Sequence, residues 1–119
     1  MTELMTIPAL DWPRIGEELD AHGSAVARGV LSPEECEVLA SLYDSDAPFR
    51  SRIVMARHGF GRGEYKYFAY PLPEIAAALR AALYPPLADV ANRWNEQLRL
   101  EQRYPAEHTA WLKIGRAHV

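Results

Sequence analysis

Glycines at 59, 61 and 63 leave the chain little freedom of choice between residues 51 and 70. They fall between two strand-like runs, SRIVMA at 51–56 and EYKYFAY at 64–70, the second dense in aromatics that suit a pleated surface. Glycine tolerates positive φ and close backbone approach, which a tight connection between neighbouring strands requires. The stretch RHGFGRGEYKYF at 57–68 therefore predicts an antiparallel hairpin. A phosphate cradle is a poor fit. A Walker A loop needs Lys followed by Ser or Thr and then a helix, and the third glycine here comes too early for G-x-G-x-x-G spacing.

The flanking segments read mainly as helix. Asp11 before Trp12-Pro13 is a capping side chain ahead of a first-turn proline, and Ile15 and Leu19 recur at helical spacing, so a helix is predicted over 12–22, ending at Gly23. Ser24–Val30 (SAVARGV) alternates like a short strand. Ser32-Pro33-Glu34-Glu35 is a capping box opening a second helix, which carries Cys36, Leu39, Leu42 and Tyr43 and stops near Asp44–Asp46. Ile75, Leu79, Ala82 and Leu83 mark a helix that Pro85-Pro86 is expected to interrupt. Leu87, Val90, Ala91, Trp94 and Leu98 predict a further helix over 86–99, with Trp94 in the core, and Pro105–Leu112 a short last one. The expected class is α+β.

At 119 residues, with 24% charged and 49% hydrophobic residues, the chain suits one globular domain and neither a disordered nor a fibrous one. No apolar run approaches the roughly 18 residues of a membrane span, and MTELMTIPALDWP lacks the basic start and apolar stretch of a signal peptide, so no membrane partner and a cytoplasmic location are expected. The lone Cys36 cannot form an internal disulfide and is expected to be a small buried helix residue. A net charge of −3 conceals an asymmetry: residues 1–46 hold ten acids against Arg14 and Arg28, whereas 47–66 hold Arg50, Arg52, Arg57, Arg62 and Lys66 against Glu64 alone. Such a local excess either favours an anionic partner or is a set of solvated arginines on a hairpin.

Chemistry-bearing motifs are sparse. His22-Gly-Ser, His58-Gly-Phe and His108-Thr-Ala lack the His-x-Asp/Glu spacing of a mononuclear iron site, and H-E-x-x-H is absent. No G-x-S-x-G elbow exists, and Glu34, Glu35 and Glu37 read as a helix start complementing the dipole. The closing KIGRAHV stands apart. The codons ATC GGA AGA GCA CAC GTC encode IGRAHV and match a widely used sequencing adapter whose next triplet is a stop, so 113–119 is expected to be a non-native tail, with the native chain continuing past Leu112 and no role for His118.

Three stretches, FRSRIVMARHGFGRGEYKYFAYPLP from Phe49 to Pro73, ALYPPLADVANRWN at 82–95 and YPAEH at 104–108, resemble the N-terminal part of bacterial 2-oxoglutarate- and iron(II)-dependent oxygenases. More narrowly, they are similar to a subgroup described as acting in oxidative demethylation of damaged DNA. The resemblance implies that 1–112 is the N-terminal part of an oxygenase domain, its helices and hairpin supporting a double-stranded β-helix (jelly-roll) core that this chain lacks and that would be its natural intramolecular partner. It also implies Fe(II) and 2-oxoglutarate as cofactors of the full-length parent, neither bound by this segment. The parent would hydroxylate a substrate C–H, releasing formaldehyde when that carbon is an N-methyl group.

The hairpin is then expected to border the substrate entrance, with Arg52, Arg57, His58, Phe60, Arg62, Tyr65 and Tyr67 flanking a nucleic-acid or other anionic substrate and no catalytic residue or metal ligand within the segment. Alternatives remain: a small nucleic-acid-binding module using the basic aromatic hairpin at 50–70, a prolyl-hydroxylase-like oxygenase fragment, or a structural hairpin whose aromatics only pack. If a missing core covers the apolar faces of the helices, the segment should expose Leu, Ile and Trp surface and be only marginally stable.

Overall fold

The computed structural model describes residues 7–59 and 61–117. It is an α+β chain with four α-helices and one two-stranded antiparallel sheet among these residues. Two compact units divide it, one formed by Met1–Val30 with Ala78–Val119 and the other by Leu31–Ala77.

In the first unit, α1 spans Trp12–His22. It begins where the Asp11 carboxylate accepts a hydrogen bond from the Arg14 amide at 3.2 Å. It ends where Gly23, at φ 74°, donates its N–H to the Leu19 carbonyl. The alternating segment that follows is not a strand. Ser24–Val30 runs irregularly, the Val26 carbonyl accepts from the Arg14 guanidinium at 3.3 Å, and among the described residues no sheet edge accompanies it. Alternation supplied a surface with nothing to pair against.

The second correction concerns Pro85 and Pro86. Neither has an N–H, so the carbonyls of Ala81 and Ala82 lose their usual donors. Yet α3 runs unbroken from Glu74 to Gln97 with both prolines inside it, and its first turn lies in the second unit. The half of α3 near and beyond the prolines is fastened from outside the helix. The Tyr84 hydroxyl donates to the Pro105 carbonyl at 2.9 Å. Asn92 donates to the Tyr104 carbonyl at 2.9 Å and accepts from the Tyr104 amide at 2.7 Å. Asn95 donates to the Gln102 carbonyl at 3.0 Å, and the Trp94 indole donates to Asp20 of α1 at 2.7 Å. These bonds hold the extended segment 102–105 along α3, and Trp94 is half-buried rather than sealed in a core.

α4 spans His108–Ala117, starting later than the predicted 105 and running on past Leu112. Pro105 stays in the extended segment because its carbonyl serves Tyr84. The helix opens with Ala110 and Trp111 amides donating to the Glu107 carbonyl. Ring contacts of Tyr84 with His108 at 5.2 Å and of Tyr104 with Trp111 at 5.3 Å seat its first turns. Among the described residues of this unit, Ile15, Ala88 and Val90 are the buried apolar ones.

In the second unit, α2 spans Pro33–Ser41 and is followed by a 3-10 turn at Leu42–Asp44, close to the predicted stop. Its capping box is complete: the Glu35 amide donates to the Ser32 hydroxyl at 3.1 Å and the Ser32 amide to the Glu35 carboxylate at 2.8 Å. Cys36, expected to be buried, is exposed, because the helix is amphipathic only weakly and buries none of its residues fully. The hairpin follows, with β1 at Phe49–Val54 and β2 at Glu64–Phe68. Ile75, at the start of α3, is buried.

Candidate nucleic-acid interface on the hairpin

The two strands pair antiparallel as Phe49 with Phe68, Ser51 with Tyr67, Arg52 with Lys66, Ile53 with Tyr65 and Val54 with Glu64, with a bulge between Phe49 and Ser51. A 3-10 turn at Met55–His58 and the glycines join them, and the Met55 amide donates to the Gly63 carbonyl at 2.9 Å to close the connection. Gly59, Gly61 and Gly63 all take positive φ, of 72°, 98° and 104°, although the connection is longer than the tight one predicted, because residues 55–58 form a 3-10 turn instead of continuing the strand.

Because side chains alternate across a strand, the hairpin has two unlike faces. On one face the Tyr43 hydroxyl donates to Glu64 at 2.9 Å, and the Arg52 guanidinium pairs with the other Glu64 oxygen at 2.9 Å. Lys66 donates to the Tyr43 carbonyl and stands over the Tyr43 and Phe49 rings, 4.2 and 5.0 Å from their centroids. Phe49 stacks on Phe68 at 5.1 Å. The Tyr43 hydroxyl and the Arg52 charge hold the Glu64 carboxyl below its ordinary value, in that order despite partial desolvation. Desolvation, then Glu64, push the Tyr43 hydroxyl up. This face is closed on itself.

The opposite face is open. Tyr65 and Tyr67 meet edge-to-face at 5.4 Å and are 42% and 46% exposed. Arg50, displaced by the bulge, lies with its guanidinium 5.3 Å from the Tyr67 ring centre. Desolvation first, then its hydrogen-bond partner Tyr67, raise the Tyr65 hydroxyl above its ordinary value, so that ring stays neutral at physiological pH. Arg57 and His58, in the 3-10 turn, and Arg62, in the connection, are exposed and engage no ion pair among the described residues.

The predicted substrate-flanking set therefore divides. Tyr65 and Tyr67 share the open face, while Arg57, His58 and Arg62 lie in the connection between the strands. Arg52 lies on the closed face, bound to Glu64. Phe60 lies outside the described residues. Arg50 is the residue that the predicted set leaves out. Strict alternation would put it beside Arg52, and only the bulge moves it across to Tyr67. Nothing in the local sequence announces that bulge.

Among the described residues no group of three or more His, Cys, Asp or Glu side chains is placed to hold a metal ion. No catalytic step is assigned to the described residues. Among the same residues no helix is long and apolar enough to cross a membrane.

The open hairpin face thus presents a cation and aromatic rings together, groups that can meet an anionic and planar ligand. Residues 63–118 match the model of a family described as "Oxygenase, catalysing oxidative methylation of damaged DNA". The match takes in β2, α3 and α4, and it agrees with the oxygenase resemblance carried by the sequence. It points to an oxygenase acting on damaged DNA. No curated protein and no solved structure matches the chain.

Proposed function

We propose that this chain is the N-terminal part of an iron(II)- and 2-oxoglutarate-dependent oxygenase that removes alkyl damage from DNA in the cytoplasm, its hairpin bordering the substrate entrance. The observation that carries the reading is the family match over 63–118, which includes both tyrosines of the open hairpin face. Arg50 beside Tyr67, and the local excess of arginine in the hairpin segment that also includes Arg57 and Arg62, support an anionic substrate. The ligands for iron and 2-oxoglutarate would come from a β-helix core outside 1–112, and 113–119 would be the adapter-derived tail. α4 continues through Ala117 and the family match reaches residue 118, so DNA sequence of the native locus beyond codon 112 is the direct test of the tail. Read-through into IGRAHV from an independent source would remove that part of the reading.

The enzymatic test uses the full-length parent. It should convert 2-oxoglutarate to succinate only with iron(II), and release formaldehyde from N-methylated DNA. A parent that does neither across methylated DNA and peptidyl-proline substrates would count against the assignment, and turnover on the peptides alone would favour a prolyl-hydroxylase-like oxygenase. The exposed cationic face also supports a second reading, a nucleic-acid-binding module without chemistry. Salt-dependent DNA binding by a parent that never consumes 2-oxoglutarate would select it.

A further inference from the structure

The reading above rests on nucleic acid as the substrate class, and within it the two faces of the hairpin have different parts to play. The closed face has already used its charges: Arg52 and Tyr43 share Glu64, and Lys66 is held by the Tyr43 carbonyl and two rings. On the open face the pairing register places no carboxylate, and Arg50 has no ion pair among the described residues. Its guanidinium is held over Tyr67, so a cation and an aromatic surface are presented together. Tyr67 in turn braces Tyr65 at 87°, which leaves Tyr65 positioned by the sheet yet 42% exposed.

We infer that this face binds an unpaired nucleic-acid strand, a base stacking on Tyr65 and the neighbouring phosphate meeting Arg50 beside Tyr67. Stacking on a ring requires a base whose own face is free, and in a duplex both faces of each base are occupied by its neighbours. The surface therefore selects single strands or extruded bases over paired ones. Tyrosine also has few rotamers to lose, and here both rings are already braced, which lowers the ordering cost of binding. An acidic peptide would satisfy the arginines but gain little from the ring faces.

Titration of the full 119-residue chain against a dye-labelled oligothymidylate of about 12 nucleotides, followed by anisotropy, tests the assignment. Tyr65→Ala should weaken binding by about 5- to 150-fold, the range expected for loss of one base–aromatic stack, whereas Tyr65→Phe should stay within about 2-fold. Arg50→Ala should weaken binding and lower the salt slope by about 0.7, the value for one single-strand phosphate contact, and Arg52→Ala should leave that slope unchanged. The annealed duplex should bind more weakly and be indifferent to Tyr65→Ala. Polyglutamate should compete poorly.

Should Tyr65→Ala fail to fold, Tyr65→Leu fills the same place without an aromatic face and carries the same expectation. Affinity unchanged in both Tyr65 variants, equal losses on single strand and duplex, or no binding of the oligothymidylate at all would overturn the inference. Its fate is separable from that of the oxygenase: a parent that turns over 2-oxoglutarate while Tyr65 variants bind normally refutes only the stacking face. Strand binding that depends on Tyr65 in a parent without turnover refutes only the chemistry.

Discussion

Replacing Asn92 with Ala removes the two hydrogen bonds by which α3 grips the extended segment after it. The amide donates to the Tyr104 carbonyl at 2.9 Å and accepts from the Tyr104 N–H at 2.7 Å, both in partly buried surroundings. At about 0.5–1.5 kcal/mol net for each bond the loss is about 1–3 kcal/mol. Alanine returns roughly 0.5 kcal/mol of helix propensity, leaving a net destabilisation of about 0.5–2.5 kcal/mol. For a chain of this size that corresponds to a fall in Tm of roughly 2–10 °C. Asn95→Ala is the matched control: it breaks one exposed bond to Gln102, at 3.0 Å, which the propensity gain nearly offsets. Thermal melts followed by circular dichroism, with urea titrations to confirm equal m-values, give both numbers. Asn92→Ala melting within 1 °C of the parent, or Asn95→Ala proving the more damaging, would refute the claim that the Asn92 clamp holds 102–105 in place.

Burial, reinforced by the Arg80 charge, holds the His108 imidazole below its ordinary 6.5. Its unfolded form then binds more protons in that window, so stability is intact above about pH 6.5 and falls as pH drops towards the lower folded value. His108→Gln should flatten this part of a Tm–pH profile, and an unaltered profile would contradict the linkage. Gly63→Ala places a side chain at φ 104°, where L residues are strained although the space is open, and should cost about 1–2 kcal/mol in a urea melt. A neutral result would mean that the connection relaxes. Ser32→Ala removes one half of the capping box and should cost about 1 kcal/mol, read as faster hydrogen exchange at the Glu35 amide with little change in α4. Uniform acceleration along the chain would instead indicate global loss of structure.

Features set by neighbours in sequence were legible. The Asp11 and Ser32 caps, the Gly23 stop and the glycine-governed hairpin each depend on a few adjacent residues, and the helix predicted over 12–22 is the one observed. Features set by distant partners were not. The strand predicted at 24–30 needed a sheet edge that its own alternation cannot reveal. The double proline signalled a break, whereas α3 continues because its flank is tied to residues 102–105 and to Asp20. In the candidate interface, the position of Tyr65 and Tyr67 on a hairpin strand was readable, but not whether their rings pack or stay exposed. The commitment of Arg52 to Glu64 and the migration of Arg50 across the sheet were not, since one depends on cross-strand pairing and the other on an irregular register. Val26, Val38, Leu98 and Leu100 are each more than half exposed, and of these only Val38 lies on a helix.

The bulge between Phe49 and Ser51 gives the hairpin a property that no side chain carries by itself. Were the ladder regular, Arg50 and Arg52 would stand two residues apart on one side, crowding Lys66 with only Glu64 to balance three cations. The extra residue sorts charge by side, so the number of residues in β1 is a determinant as important as their identity. Loss or gain of one residue there would exchange the contents of the two faces while leaving composition almost untouched. Length changes in this strand should therefore be tolerated less well than most substitutions within it.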